Sequence, residues 1–179
     1  MTSSDQTVLV EGTIEAVAVR VATSTVGRPG TGPNRVAVVC AKFNGGITAR
    51  LLDGVLAGLE DSGVPSDTVA VAWVPGAFEL PLAAQQVARS GRVDAVIALG
   101  AVIRGDTPHF DFVAGECAAG LQRVSLETGM PVVFGVLTTD TVDQALERAV
   151  EGPANKGYEA AITALEMTSL LDRLPVQGR

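Results

Sequence analysis

A chain of 179 residues, 47% of them apolar, can build one well-buried core and is too short for two typical domains. Its 13 basic and 20 acidic residues leave a net charge of −7, which disfavours nucleic acid and anionic membrane as partners. No run of about 18 apolar residues occurs, and Met1-Thr2-Ser3-Ser4-Asp5 lacks the basic start and apolar centre of a secretion signal, so a soluble, cytoplasmic protein is expected.

Residues 1–34 differ from the rest. One β-prone stretch, 8–21, is followed by the breaker cluster Gly27-Arg28-Pro29-Gly30-Thr31-Gly32-Pro33, which reads as an arm and a linker. Val8, Val10, Val17, Val19 and Val21 suit a strand added to a sheet edge, its own or a neighbour's, and a partly disordered tail is the competing reading.

From residue 35 to 179 the pattern is that of one domain in which valine-rich runs alternate with segments of helical period. The runs 36–41, 68–74, 93–99 and 132–137 are short enough to be strands buried on both faces. Between the first two, Ile47, Leu51, Val55 and Leu59 recur every four residues and predict a helix ending near Gly63. A shorter helix follows Pro81, carries Leu82, Ala83, Gln86 and Val87, and ends near Gly91.

The third helix is expected to take Thr107 as N-cap and Pro108 as its first residue, where a missing N–H costs nothing, and to run to about Thr128. Thr141-Val142-Asp143-Gln144 fits a capping box at the head of a fourth helix with Val142, Ala145, Leu146, Ala149 and Val150 on its apolar face. A fifth covers about 155–174. Strands alternating with helices predict an α/β fold, a three-layer α/β/α sandwich around a four-stranded parallel sheet. Cys40 and Cys117 lie in apolar segments without metal-site or disulfide spacing, and are expected to be buried thiols.

Ligands of open parallel sheets bind outside the carboxyl ends of the strands, so the residues just past each run are the candidate site. After the first come Phe43, Asn44, Gly45 and Gly46. Phe43 offers a flat face for a heterocycle, or else caps the core. The glycine pair lacks dinucleotide or P-loop spacing, which argues against a nucleoside triphosphate site. After the second comes Pro75-Gly76-Ala77-Phe78-Glu79, where Glu79 either complements a helix dipole or accepts hydrogen bonds from a polyhydroxy ligand.

The segment after the third run is the richest. Gly105, Asp106 and Thr107 precede a helix start, where free N–H groups and the Thr107 hydroxyl can hold a phosphate without a Walker sequence. His109, the chain's single histidine, lies in that first turn, and histidine is the side chain whose unperturbed pKa of ~6.5 suits proton transfer near neutrality. A helix-start histidine without a role is the alternative. Arg148, on the polar face of the fourth helix, and Lys156, beside Asn155 and Gly157, read by themselves as solvated cations.

Taken in order, Ala41-Lys42-Phe43-Asn44, Pro75-Gly76-Ala77-Phe78-Glu79-Leu80-Pro81, Gly100-Ala101-Val102-Ile103-Arg104-Gly105-Asp106-Thr107-Pro108-His109-Phe110-Asp111 and Phe134-Gly135-Val136-Leu137-Thr138-Thr139 resemble the 6,7-dimethyl-8-ribityllumazine synthase family. Glu147-Arg148-Ala149 and Asn155-Lys156-Gly157 continue the likeness, which covers about 35–174. The resemblance implies a flavodoxin-like sandwich. It also implies condensation of 5-amino-6-(D-ribitylamino)uracil with 3,4-dihydroxy-2-butanone 4-phosphate, the penultimate step of riboflavin biosynthesis. Phosphate and water leave, and neither metal nor organic cofactor takes part.

On the same resemblance Phe43 stacks on the pyrimidine, Asn44 and Glu79 hold the ribityl chain, and Ala77 and Phe78 orient it. Gly105, Asp106 and Thr107 bind the butanone phosphate, Arg148 completes that anion site, and His109 moves protons. The implied assembly is a homopentamer, in some relatives twelve pentamers in a shell, with Phe134, Arg148 and Lys156 reaching the site from the neighbouring subunit.

Two departures stand out. Where many relatives have Gly-Thr-Lys this chain has Val150-Glu151-Gly152, which implies weaker hold on the phosphate, and Pro29 and Pro33 remove N–H donors from the arm. A catalytically idle relative that binds flavin-like or ribityl ligands, or forms a scaffold shell, is the alternative of a different class.

Overall fold

The computed structural model describes residues 34–174. The arm expected over 1–34, with its added edge strand, lies outside the described residues except for Asn34. Strand β1, Val36–Ala41, forms from six small or β-branched apolar residues, and all six are buried. Helix α1, Gly45–Asp61, puts Ile47, Leu51, Val55 and Leu59 on its buried side, as their spacing predicts, and the chain leaves it through Gly63 at φ 76°.

β2, Val69–Val74, and α2, Leu80–Arg89, follow, the latter entered through a 3₁₀ turn at Ala77–Glu79 with Pro81 in its first turn. β3, Ala95–Ile103, runs four residues beyond the expected end, because Gly100 does not interrupt pairing and Ala101-Val102-Ile103 continues the apolar run. The remaining elements are α3, His109–Thr128; β4, Val132–Thr139; α4, Val142–Glu147; and α5, Lys156–Arg173.

The strands are all parallel in the order β2-β1-β3-β4, the flavodoxin-like arrangement. Alternate residues of β1 and β3 feed two cores. Val36, Val38, Cys40, Ile97 and Leu99 pack with α1 and α5, while Val39, Ala41, Val96 and Ala98 pack with α2 and α3, which makes the three-layer α/β/α sandwich. Burial pushes the Cys40 thiol up to about 11 and the Cys117 thiol up to about 12, so neither supplies a thiolate near neutrality. At the opposite end of the strands, hydrogen bonds from Arg35 hold the Asp94 carboxyl below its ordinary range. This clamp is therefore present near neutrality and is lost as pH falls through the folded pKa.

Three expectations are corrected. β2 is not buried on both faces: Val71 and Trp73 are 42% and 44% exposed, because β2 is the sheet edge and its flanks are bare among the described residues. Helix α3 starts at His109 with Pro108 as N-cap, and Asp111 N–H donates to the Pro108 carbonyl, so Thr107 does not cap it. A residue before proline is kept away from helical backbone angles, which leaves Thr107 outside the turn. Helix α4 is only six residues long, so Arg148 is its C-cap rather than part of a polar face, and Val142 and Val150 are exposed. Its capping box is real but shifted on the return bond: Thr141 accepts from Gln144 N–H, while Gln144 Oε1 accepts from Asp140 N–H.

Close approach of α1 and α5 depends on glycines. A Cβ on Gly157 would stand 1.9 Å from the Leu51 carbonyl oxygen, a backbone atom that cannot rotate away. Gly157→Ala is accordingly expected to destabilise the fold by about 2–3 kcal/mol, read as a lower urea midpoint, since overpacking a tight contact costs that order.

Candidate active site

The carboxyl ends of β1, β2 and β3 open into a cavity of about 680 Å³ whose walls include Phe43, Asn44, Ala77, Phe78, Glu79, Gly105, Thr107 and His109. It lies at the β1/β3 boundary, where successive connections leave in opposite directions and a crevice opens. Eight of the twelve residues expected at the site therefore meet in one place.

Local geometry accounts for each wall. Asn44 takes φ 55°, a left-handed conformation tolerated by asparagine, and its Nδ2 donates to the Ala101 carbonyl at 2.8 Å. That bond ties the head of α1 to the end of β3 and leaves Phe43 turned outward, 73% exposed. Phe43 N–H donates to Pro75 O at 3.1 Å, joining the loops after β1 and β2. In the 3₁₀ turn Ala77 is buried while Phe78 and Glu79 face out, and a Cβ on Gly76 would come within 3.2 Å of Glu79 Oε2, so glycine leaves room for that carboxylate.

Arg104 organises the segment after β3. Its Nε donates to Asp140 at 2.9 Å and its Nη1 to Asp111 at 3.2 Å, while its guanidinium sits 4.1 Å from the Phe110 ring centroid. The hydrogen-bonded Asp140, with Asp111, holds that guanidinium above its ordinary pKa. The loop 105–108 is thus spanned by a bridge from the strand end to the first turn of α3, where His109 stands exposed. Asp106 is exposed in the same loop, between Gly105 and Thr107, but lies outside the walls of the cavity.

Phe134, Arg148 and Lys156 are elsewhere. They line a second groove, about 630 Å³, between β4, the outer strand of the described sheet, and helices α3 and α5. Phe134 is 42% exposed there. Arg148 donates from Nη1 to the Gln144 carbonyl at 2.8 Å, and Lys156 Nζ pairs with both Glu159 oxygens at 2.7 Å.

The cavity also contains side chains that the sequence reading did not single out, chiefly Phe112, 68% exposed, with Phe110 and Val113. The signal was available: a residue three after His109 in a helix shares its face. Among the residues lining the cavity there is no lysine or arginine, whereas the second groove holds Arg148 and Lys156.

The sequence pattern of the family described as 6,7-dimethyl-8-ribityllumazine synthase matches residues 33–172. A relative from Protochlamydia amoebophila (strain UWE25), named 6,7-dimethyl-8-ribityllumazine synthase, is 56% identical over 140 residues, which cover 78% of this chain and 81% of the relative.

Proposed function

The chain belongs to the 6,7-dimethyl-8-ribityllumazine synthase family, and from that premise we propose that its site is completed by two adjacent copies of the chain. The reaction is the condensation of 5-amino-6-(D-ribitylamino)uracil with 3,4-dihydroxy-2-butanone 4-phosphate, a transferase step of riboflavin biosynthesis. In the proposed arrangement Phe43 stacks on the pyrimidine, Asn44 and Glu79 hold the ribityl hydroxyls, and Ala77 and Phe78 orient the chain. Gly105, Asp106 and Thr107 receive the phosphate at the head of α3, where unpaired N–H groups favour an anion.

One observation carries the shared site. A phosphate substrate brings about two negative charges at neutral pH, yet the cavity that gathers the ring- and ribityl-binding groups has no lysine or arginine among its walls, and the nearby Arg104 is engaged by Asp140 and Asp111. Arg148 and Lys156 lie in the groove along the far edge of the same chain. A ring of copies, each presenting its β4 edge to the next copy's cavity, would bring Phe134, Arg148 and Lys156 to the phosphate. Exposure of Leu82, Phe112 and Leu126 on α2 and α3 supports a covered face there, since large apolar side chains left to water mark interaction surfaces.

His109 then moves the protons of imine formation, phosphate elimination and ring closure, accepting and returning them in turn. Holding amine and ketone together supplies much of the acceleration, because the two react without further activation once aligned. The ring of copies closes cyclically in this reading, and five is the number of copies the family resemblance implies.

Purified protein given both substrates is expected to form the lumazine, followed by its absorbance. Light scattering of the same sample is expected to give five chains of 18.3 kDa, about 90 kDa, or a multiple of it. A monomeric protein with full activity would remove the shared site.

A further inference from the structure

We propose that Asn155 is a positioning residue for the anion-binding side of the site, its buried amide fixing the segment 148–156 against α1 and so setting where Arg148 and Lys156 are held. The inference rests on the reading of Arg148 and Lys156 as phosphate-binding groups.

The segment has few other anchors. Val150, Glu151, Gly152, Pro153 and Ala154 are all exposed, and the chain turns through Gly152 at φ 90°. Between Ala149, 3% exposed, and Gly157, Asn155 alone is buried, 2% exposed. Its Nδ2 donates to Arg50 O at 3.0 Å, on α1, and to Val150 O at 2.8 Å, across the loop. Its Oδ1 accepts from Gly157 N–H at 2.7 Å and caps α5. Both amide donors and the amide oxygen are thus engaged, on three separate pieces of backbone. Two backbone bonds complete the frame: Asn155 N–H donates to Gly152 O at 3.0 Å, and Lys156 N–H to Arg148 O at 2.9 Å. The second joins the two cation-bearing residues directly.

Space is reserved for this amide. A Cβ on Gly54 would fall 2.3 Å from Asn155 Oδ1, so α1 carries glycine where the side chain crosses. Only a planar group with a donor and an acceptor a carbon apart meets these partners. An aspartate of the same shape would cap Gly157 but turn a carboxylate oxygen toward two carbonyl oxygens. The geometry therefore does more than hold a helix end, for which serine or aspartate would serve equally well.

Steady-state kinetics of the assembled enzyme tests this. In Asn155→Asp the KM for the butanone phosphate is expected to rise about tenfold or more while the KM for the ribitylaminouracil changes less than about twofold, because two donated bonds that hold the loop are lost. A merely structural role would instead reduce the folded fraction, lowering apparent kcat with both KM values unchanged, and that result overturns the proposal, as does a parallel rise of both. Gly54→Ala, which crowds the amide from α1 without changing its chemistry, is expected to raise the same KM and carries the test if Asn155→Asp does not assemble. Hydrogen exchange on the unsubstituted protein gives an independent arm. First-turn amides of a helix ordinarily lack partners, but those of Lys156 and Gly157 are expected to exchange as slowly as amides in the middle of α5, and loop-like rates overturn the proposal. Arg148→Ala separates the two levels. If it leaves the phosphate KM unchanged, the anion-site reading and the proposal built on it fall together; if it raises that KM and Asn155→Asp does not, only the role of Asn155 is lost.

Discussion

Arg148→Ala is expected to lower kcat/KM for the butanone phosphate by about 100-fold, since hydrogen bonds to charged groups contribute ~1.5–3 kcal/mol and 1.4 kcal/mol is tenfold. Among the residues lining the cavity and the second groove, only Lys156 carries a like charge. The cavity walls hold no lysine or arginine, and Lys156, the other cation of the second groove, is shared with Glu159 and so holds a phosphate less tightly. The loss should fall on the phosphate substrate, leaving the affinity for a ribityl-pyrimidine analogue nearly unchanged. A mixing experiment gives the same residue a second, sharper test. Arg148→Ala and His109→Ala proteins, each nearly inactive, are expected to regain activity when refolded together, because a site taking His109 from one and Arg148 from the other is intact. Random mixing places about a quarter of the sites in that state if each draws on two neighbouring chains. Absence of any recovery in mixed assemblies of normal size would sink the shared site.

His109→Ala should reduce kcat by about 100-fold with small changes in either KM, the lower end of what a positioned acid–base group supplies. The geometry favours this split. His109 stands exposed in the first turn of α3 at the cavity wall, with no hydrogen bond or ion pair among the described residues, so both ring nitrogens are open to substrate. On the proposed reading its removal takes away a proton carrier and leaves the stacking and ribityl contacts in place. A variant in which KM for the ribitylaminouracil rises as steeply as kcat falls would instead make His109 a binding group.

The strand runs were legible because nearly every residue in them is apolar and β-branched or small, and because each is short and bounded by segments of helical period. What could not be read was which run lies at the edge. Val69–Val74 looks as hydrophobic as Val36–Ala41, yet one is bare and the other fully enclosed, since order in a sheet is decided by partners far away in sequence. The cavity walls were legible for a related reason: they follow strand ends, and strand ends can be counted. Phe112 is not marked by the strand-end pattern, because it reaches the cavity from the face of α3 and not from a loop. Asn155 is unmarked for a different reason, as its importance comes from Arg50, 105 residues earlier, and from the missing side chain of Gly54. Thr107 shows the limit of local rules, since the proline that marks the helix start also keeps its predecessor out of it.

The edge of the sheet that is bare among the described residues carries the chain's single tryptophan, Trp73, 44% exposed on β2. The molecule thus contains an intrinsic optical reporter at that edge. Indole emission from the native protein shifts to the blue when the ring is shielded from water, so one fluorescence spectrum, recorded across a dilution series, registers whether that flank is covered and at what concentration the cover comes off.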